Sequence, residues 1–337
     1  MAEMENSPAT GGTEAGRDLR ADGSPRRDTP VDRAPPKSAP RADSQQRDNL
    51  RGASWMLVSV SAATVMMIAI RYLSGELDSR MIAFLRSALG MWVLLWAFAD
   101  GSAFGLRFSR PWLHILRGAL MGIATNLGFF AISTLTLATA NILFFLAPVF
   151  ATALAAPILG EAVGIRRWAA VLAGLLGAAI ILRPGFTEVE WGMLAACGSA
   201  ACFSVSLLLT RVMGADNAPK AVMISSVTVS AIVTFPIALP VWELPATSWA
   251  WVILVVLVLS SSLRQYSDIR AYSIGEAGFL APFTYLRLVL VALAGWLLFR
   301  EGLDVYTLLG GAVIIGATLY IAHREQRLNK RIAGLAA

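Results

Sequence analysis

Across 337 residues the chain is 56% hydrophobic and only 15% charged, against roughly 45–50% and about 25% in ordinary soluble proteins. A chain that apolar cannot present a wet surface all round, which excludes a soluble globular body and a chain disordered throughout. Two cysteines and two histidines leave too little material for a disulfide framework or a Cys/His metal site, and the formal net charge of +6 is placed along the chain as membrane topology requires rather than as a nucleic-acid surface.

Residues 1–52 stand apart. They hold nine of the 28 Lys and Arg and nine of the 22 Asp and Glu, six prolines from Pro8 to Pro40, and almost no large apolar side chains. Such a segment cannot bury enough apolar area to offset its ordering entropy, so a disordered cytoplasmic tail is expected. From Ala53 onward, apolar stretches recur at the length of about 20 residues that a helix needs to cross a bilayer. Ten are expected, at 53–74, 81–99, 112–133, 138–158, 166–183, 190–210, 220–242, 248–268, 276–298 and 303–322, and a basic tail follows at 323–337. Turn formers and charges separate them, as in Asp100-Gly101-Ser102, Arg183-Pro184-Gly185 and Glu243-Leu244-Pro245. With the N-terminus inside, the short cytoplasmic loops carry Arg107, Arg110, Arg117, Arg166, Arg167, Arg211, Lys220, Arg264 and Arg270, and the last span is followed by Arg324, Arg327, Lys330 and Arg331. The opposite side has Arg71, Arg80, Arg183 and Arg300. That asymmetry puts both termini in the cytoplasm.

The spans form two copies of one unit. Ala131 to Asn141 aligns with Asp268 to Gly278 at an offset of 137, and each copy continues into a span that closes on an acid, Leu159-Gly160-Glu161 and Phe299-Arg300-Glu301. The halves are 53–184 and 190–322, five spans each. An odd number of spans inverts the second copy in the membrane, the arrangement from which many secondary transporters build two access states around a central site. The fold class is therefore all-α integral membrane, ten helices as two inverted five-helix repeats.

These residues carry a family resemblance. Ala138-Thr139-Ala140, Pro148, Leu159-Gly160-Glu161, Arg166-Arg167-Trp168, Gly174, Gly177 and Arg183-Pro184-Gly185 resemble the first EamA repeat of the drug/metabolite transporter superfamily. Arg270-Ala271-Tyr272, Gly275-Glu276-Ala277, Ala281-Pro282-Phe283, Tyr285, Gly295-Trp296, Phe299 and Glu301 resemble the second. The resemblance covers 53–322 and implies ten helices, a cavity between the halves and cytoplasmic ends. It also implies a solute from a range that includes exported amino acids and metabolites, and riboflavin or S-adenosylmethionine for uptake carriers.

An ionisable group deep in hydrocarbon costs about 2.5–3.5 kcal/mol, so it usually faces a cavity or a partner. Arg287, at the midpoint of its span, is the leading candidate to hold an anionic or zwitterionic head group. Arg86 sits near enough to a span end to snorkel, which favours a structural role. Ser261, Gln265, Asp268 and Tyr272 recur every three or four residues and share one helix face, whether as a pathway lining or as glue between helices. Asn126 and Phe130 on the third span and Asn141 and Phe145 on the fourth are further binding candidates. Tyr266 and Tyr285 could stack on a ring-bearing solute. Pro148 removes a backbone donor and can open a kink that turns a carbonyl towards the cavity. Glu161 and Glu301 fall on opposite sides of the membrane, so they are expected to cap the helices that follow them rather than to form a catalytic pair.

No P-loop lysine motif, paired histidine ligands or nucleophile constellation is present in the sequence, so neither an enzyme nor a cofactor or metal site is expected. The expected protein is an inner-membrane secondary transporter of a small organic metabolite, amino-acid-like and anionic or zwitterionic, in the export direction. Uptake of a ring-bearing cofactor or nucleoside-like solute is the main rival, and a non-transporting membrane scaffold a remote one. The expected partners are the solute and the lipid bilayer, not nucleic acid, and a homodimer is compatible with this reading.

Overall fold

The computed structural model describes residues 42–97, 110–159, 164–183, 190–213, 219–275 and 277–336. The expectations for residues 1–41 and for Glu161 lie outside the described residues. Among the described residues every regular element is helical: α1 (Ala42–Leu73), α2 (Ser79–Ala97), α3 (Pro111–Thr134), α4 (Leu137–Phe144), α5 (Ala147–Leu159), α6 (Ile165–Leu182), α7 (Trp191–Met213), α8 (Pro219–Ala238), α9 (Ser248–Ile274), α10 (Ala277–Phe299) and α11 (Val305–Ala336). Eight stretches, with α4 and α5 taken together, are long and apolar enough to cross a bilayer, and Val305–Ile321 is a shorter apolar one. The remaining expected span is α2, which carries Arg80 and Arg86. The helices at either end overrun the apolar segments: α1 begins at Ala42, and α11 continues through the basic residues to Ala336.

The fourth span is not one helix. Pro148 has no N–H to return to the Phe144 carbonyl, and the chain tightens just before it, with Phe145 N–H donating to Ile142 O and Leu146 N–H to Leu143 O, each at 3.0 Å. Ser204 of α7 reaches Ala147 O at 2.7 Å, and the Thr318 hydroxyl of α11, which donates to Ile314 O of its own helix at 2.8 Å, lies 3.4 Å from Phe145 O. A break in the helix is thus present just before Pro148, and carbonyls beside it lie within reach of hydroxyls on neighbouring helices.

Helices of the same rank in the two halves pack on each other: α2 on α8, α4 on α10 and α6 on α11. The exchanged pairs also occur. α3 packs on α7, and α1 meets α9 through Ser59 with Asp268 and through Trp55, whose ring stands edge-on to Tyr266 at 5.6 Å. Such reciprocal pairing is what an inverted repeat produces. At the α6–α11 crossing the backbones touch, since a Cβ on Gly177 would lie 2.8 Å from the Gly310 carbonyl oxygen. Small residues at such points let dispersion hold membrane helices together. Ile70, Met81, Leu143, Leu254 and Leu257 fill the interior, whereas Trp296, Leu297, Val289 and Leu309 remain exposed, as side chains that meet lipid rather than water do.

Arg183 closes α6 in the left-handed region (φ 45). Its guanidinium pairs with Asp304 and lies 3.6 Å above the Tyr306 ring, tying the first half to the loop before α11. The hydrogen bond from Arg183 is the main reason the Asp304 carboxyl sits below its ordinary range. A lowered carboxyl contributes stability that is present above the unfolded-state value and lost as pH falls through the folded-state one. Thermal unfolding of wild type and Asp304→Asn should therefore differ slightly at neutral pH and converge in acid, the difference being small because the pair is exposed.

Candidate functional site

Polar residues of α2, α7, α9 and α10 converge where the two halves meet. A cavity of about 190 Å³ is bordered by Arg86, Met121, Thr125, Phe144, Phe203, Arg264, Gln265 and Arg287. A second, of about 210 Å³, shares Arg86, Met121, Thr125, Phe203, Arg264 and Gln265 and adds Arg117, Ser226 and Asp268. A third, of about 360 Å³, shares Phe144, Phe203 and Arg287 and adds Phe145, Pro148, Thr152, Arg167, Arg211 and Tyr272. With so many walls in common, they are compartments of one vestibule, and Phe203 borders all three.

Its electrostatics are one-sided. Arg264 donates to Asp268 Oδ2 at 3.1 Å, and the other oxygen of Asp268 accepts the Ser59 hydroxyl. Arg86 Nε reaches Ser261 Oγ at 3.3 Å. Arg287 lies over the Phe145 ring, 4.8 Å from its centroid, and that ring is stacked on Tyr285 at 5.3 Å and 19°. Neither Arg86 nor Arg287 has a carboxylate partner among the described residues, and Nε of Arg264 and of Arg287 is buried without a hydrogen bond. A buried cation facing open space with donors unspent is suited to receive an anion.

The expected α9 stripe faces this space. Ser261 holds Arg86, while Gln265, Asp268 and Tyr272 line the walls. Arg287, Phe145 and Pro148 lie on it as well. Arg86 was expected to snorkel towards a span end. It borders the central cavity instead, because Ser261 on α9 draws its guanidinium inward. Tyr266 points away, packing on Trp55 and accepting from Arg270 Nε at 3.0 Å. Tyr285 backs Phe145 without bordering the vestibule. Asn126 and Phe130 line a different cavity, of about 420 Å³, beside Asp78, Ser79 and Arg80. Asn126 also donates to Gly122 O at 3.1 Å. Asn141 is fully buried on α4, with neither side-chain oxygen nor nitrogen bonded.

Glu301 departs from expectation in its target. It does not cap α11, the helix that follows it. Arg300 adopts a left-handed backbone (φ 55), the Glu301 N–H returns to Gly295 O (3.0 Å), and the carboxylate accepts the Leu137 N–H at 2.7 Å, so it caps α4 of the other half. Arg71 completes the junction, 3.2 Å from Glu301 Oε1 and donating to Ser133 O at 2.7 Å.

Arg264, expected among the cytoplasmic-loop charges, lies within α9 and borders the vestibule, as do Phe144 and Phe203, for which the sequence carried no expectation. Arg264 carried a signal, four residues before Asp268 and three after Ser261 on the polar face of α9. The phenylalanines carried none, since an aromatic on an apolar helix looks the same facing a cavity or lipid.

Comparison with known proteins sets this architecture in a family. A model described as the EamA-like transporter family matches residues 50–183 and again 190–322. An S-adenosylmethionine uptake transporter of Rickettsia bellii is 30% identical over 282 residues, covering 83% of this chain and 97% of that protein. A riboflavin transporter of Vibrio cholerae is 28% identical, covering 85% and 98% respectively, and a pseudopaline exporter of Pseudomonas aeruginosa is 27% identical, covering 81% and 97%. A solved crystal structure shares the fold with a TM-score of 0.56 at 21% identity, over 83% of this chain and 98% of that one. Since the family model matches twice, once on each half of the helical body, this multi-pass membrane protein belongs to the EamA-like transporter family, a family of transporters and not of enzymes.

Proposed function

We propose that the chain is a secondary transporter of a small organic solute with an anionic or zwitterionic head group, housed in a bacterial inner membrane with both termini in the cytoplasm. The halves 53–184 and 190–322 are the bodies that rock against each other, and the vestibule is the site they expose in turn. Arg287 carries this reading: a guanidinium midway along α10, on the cavity wall, with no carboxylate of its own among the described residues. In the export direction the solute loads from the end bearing Arg167 and Arg211, whose positive charge draws anions.

The test is counterflow in liposomes containing the purified chain, with a panel of labelled amino acids, carboxylates, riboflavin and S-adenosylmethionine. Arg287→Ala is expected to slow uptake of the preferred solute about tenfold or more. Wild-type rates in that variant would remove Arg287 from the site.

A second reading, uptake of a ring-bearing cofactor, draws on Phe144, Phe145 and Phe203 along the vestibule and on relatives named for S-adenosylmethionine and riboflavin. The same panel separates the two: under this reading the ring-bearing solutes are preferred and Phe203→Ala weakens their uptake more than Arg287→Ala does.

A further inference from the structure

Three guanidinium groups, those of Arg86, Arg264 and Arg287, border the first compartment, and no carboxylate does among the described residues. The nearest acid, Asp268, lies in the adjoining compartment and is engaged by Arg264 and Ser59. Setting that pair aside leaves Arg86 and Arg287, held by a neutral hydroxyl and by an aromatic face respectively. Arg117, on the wall of the second compartment, is likewise met only by neutral groups, the hydroxyls of Thr210 and Ser226 and the carbonyl of Val222. Two like charges around one small, partly apolar space repel each other more than they would in water. A single negative charge between them attracts both but leaves one positive charge uncompensated in the cavity, whereas a solute with two negative charges compensates both.

Resting on the transport reading above, we propose that the vestibule is built for a small organic dianion, a dicarboxylate or a phosphate monoester, gripped between Arg86 and Arg287. Phe144 and Phe203 close against the carbon skeleton of such a solute. The same field disfavours cations. S-adenosylmethionine, a sulfonium with a net positive charge near neutrality, should therefore bind poorly, although a relative of similar length is named for its uptake.

Thermal unfolding of the purified full-length chain in detergent, at matched ionic strength, decides this without a transport assay. Succinate and glycerol 3-phosphate are expected to raise the unfolding temperature in a saturable way, since a ligand of the folded state alone stabilises it. Acetate and alanine should do so weakly, and S-adenosylmethionine not at all. Arg86→Gln and Arg287→Gln should each weaken succinate binding about tenfold or more, while Arg287→Lys keeps the preference for two charges over one. The proposal is overturned if alanine or S-adenosylmethionine stabilises as well as the dianions, if neither dianion shifts the unfolding, or if the folded Gln variants bind succinate like wild type. Should either Gln variant fail to fold, the charge series on wild type still decides. Counterflow of a cation or zwitterion without any dianion would overturn this inference and leave the transport reading standing, and a chain that moves no solute would overturn the transport reading itself.

Discussion

Glu301→Ala is expected to destabilise the folded chain by about 1–3 kcal/mol, the range seen when a buried donor is left without its acceptor. The Glu301 side chain is only 10% exposed and serves two partners at once. Without it the Leu137 N–H loses its acceptor at the start of α4, where Thr136 already caps Thr139 and has no second oxygen to offer. Arg71 is left with backbone carbonyls alone. The positive end of α4 also loses the negative charge that complements its dipole. Glu301→Gln separates these contributions, because its amide oxygen can still accept from Leu137 while the ion pair is gone, so an intermediate loss is expected. Thermal unfolding in detergent reads both variants. Equal stability of Glu301→Ala and wild type would show that the junction between the halves does not depend on this carboxylate. Gly295 belongs to the same arrangement: a Cβ there would stand 2.8 Å from Glu301 Oε2, so Gly295→Ala should displace the carboxylate and reproduce part of the defect.

Gly310→Val should break the α6–α11 contact, lowering stability by about 1–3 kcal/mol or more, as overpacking of a close-fitting interface does. A side chain at that position would run into the Gly177 carbonyl and the Ile181 side chain. Rotamer changes can move Ile181, but the carbonyl belongs to the backbone of α6, so relief requires the helices to separate along their crossing. Gly177→Val should behave alike, since it meets the Gly310 backbone from the other side. Gly316 on the same helix is the control: nothing lies within 4 Å of a Cβ there, so Gly316→Ala should be neutral or slightly stabilising. Losses at Gly316 as large as those at Gly310 would point to general intolerance of α11 instead of a defined contact.

Most of the fold was legible because hydrophobic length is a strong signal in a membrane protein. Apolar runs of about 20 residues translate directly into spans, and the α3, α6, α7 and α10 boundaries fall within a few residues of those expected. The break in the fourth span was foreshadowed by Pro148, though not its position at Phe145–Leu146 or the hydroxyls from α7 and α11 that lie beside it. Of the candidate site residues, the α9 stripe was the most readable, since a polar face on an apolar helix has few other places to point. Arg86, Tyr266 and Asn126 were less so. A lone polar residue on a span can turn to a cavity, a neighbouring helix or the interface, and its own sequence does not distinguish these.

The sequence by itself determined that the chain crosses a membrane many times, that it is a duplicated five-helix unit, and that a charge sits midway along α10. These follow from composition, periodicity and internal likeness, all carried within single stretches of chain. Only the tertiary structure decided that Glu301 caps α4, that Ser261 turns Arg86 inward, and that Arg264 and Arg287 share one cavity. The reason lies in the solvent: lipid is as apolar as a protein interior, so hydrophobicity fixes a span's length while its rotation, and hence which side chains meet, is set by contacts between helices far apart in sequence.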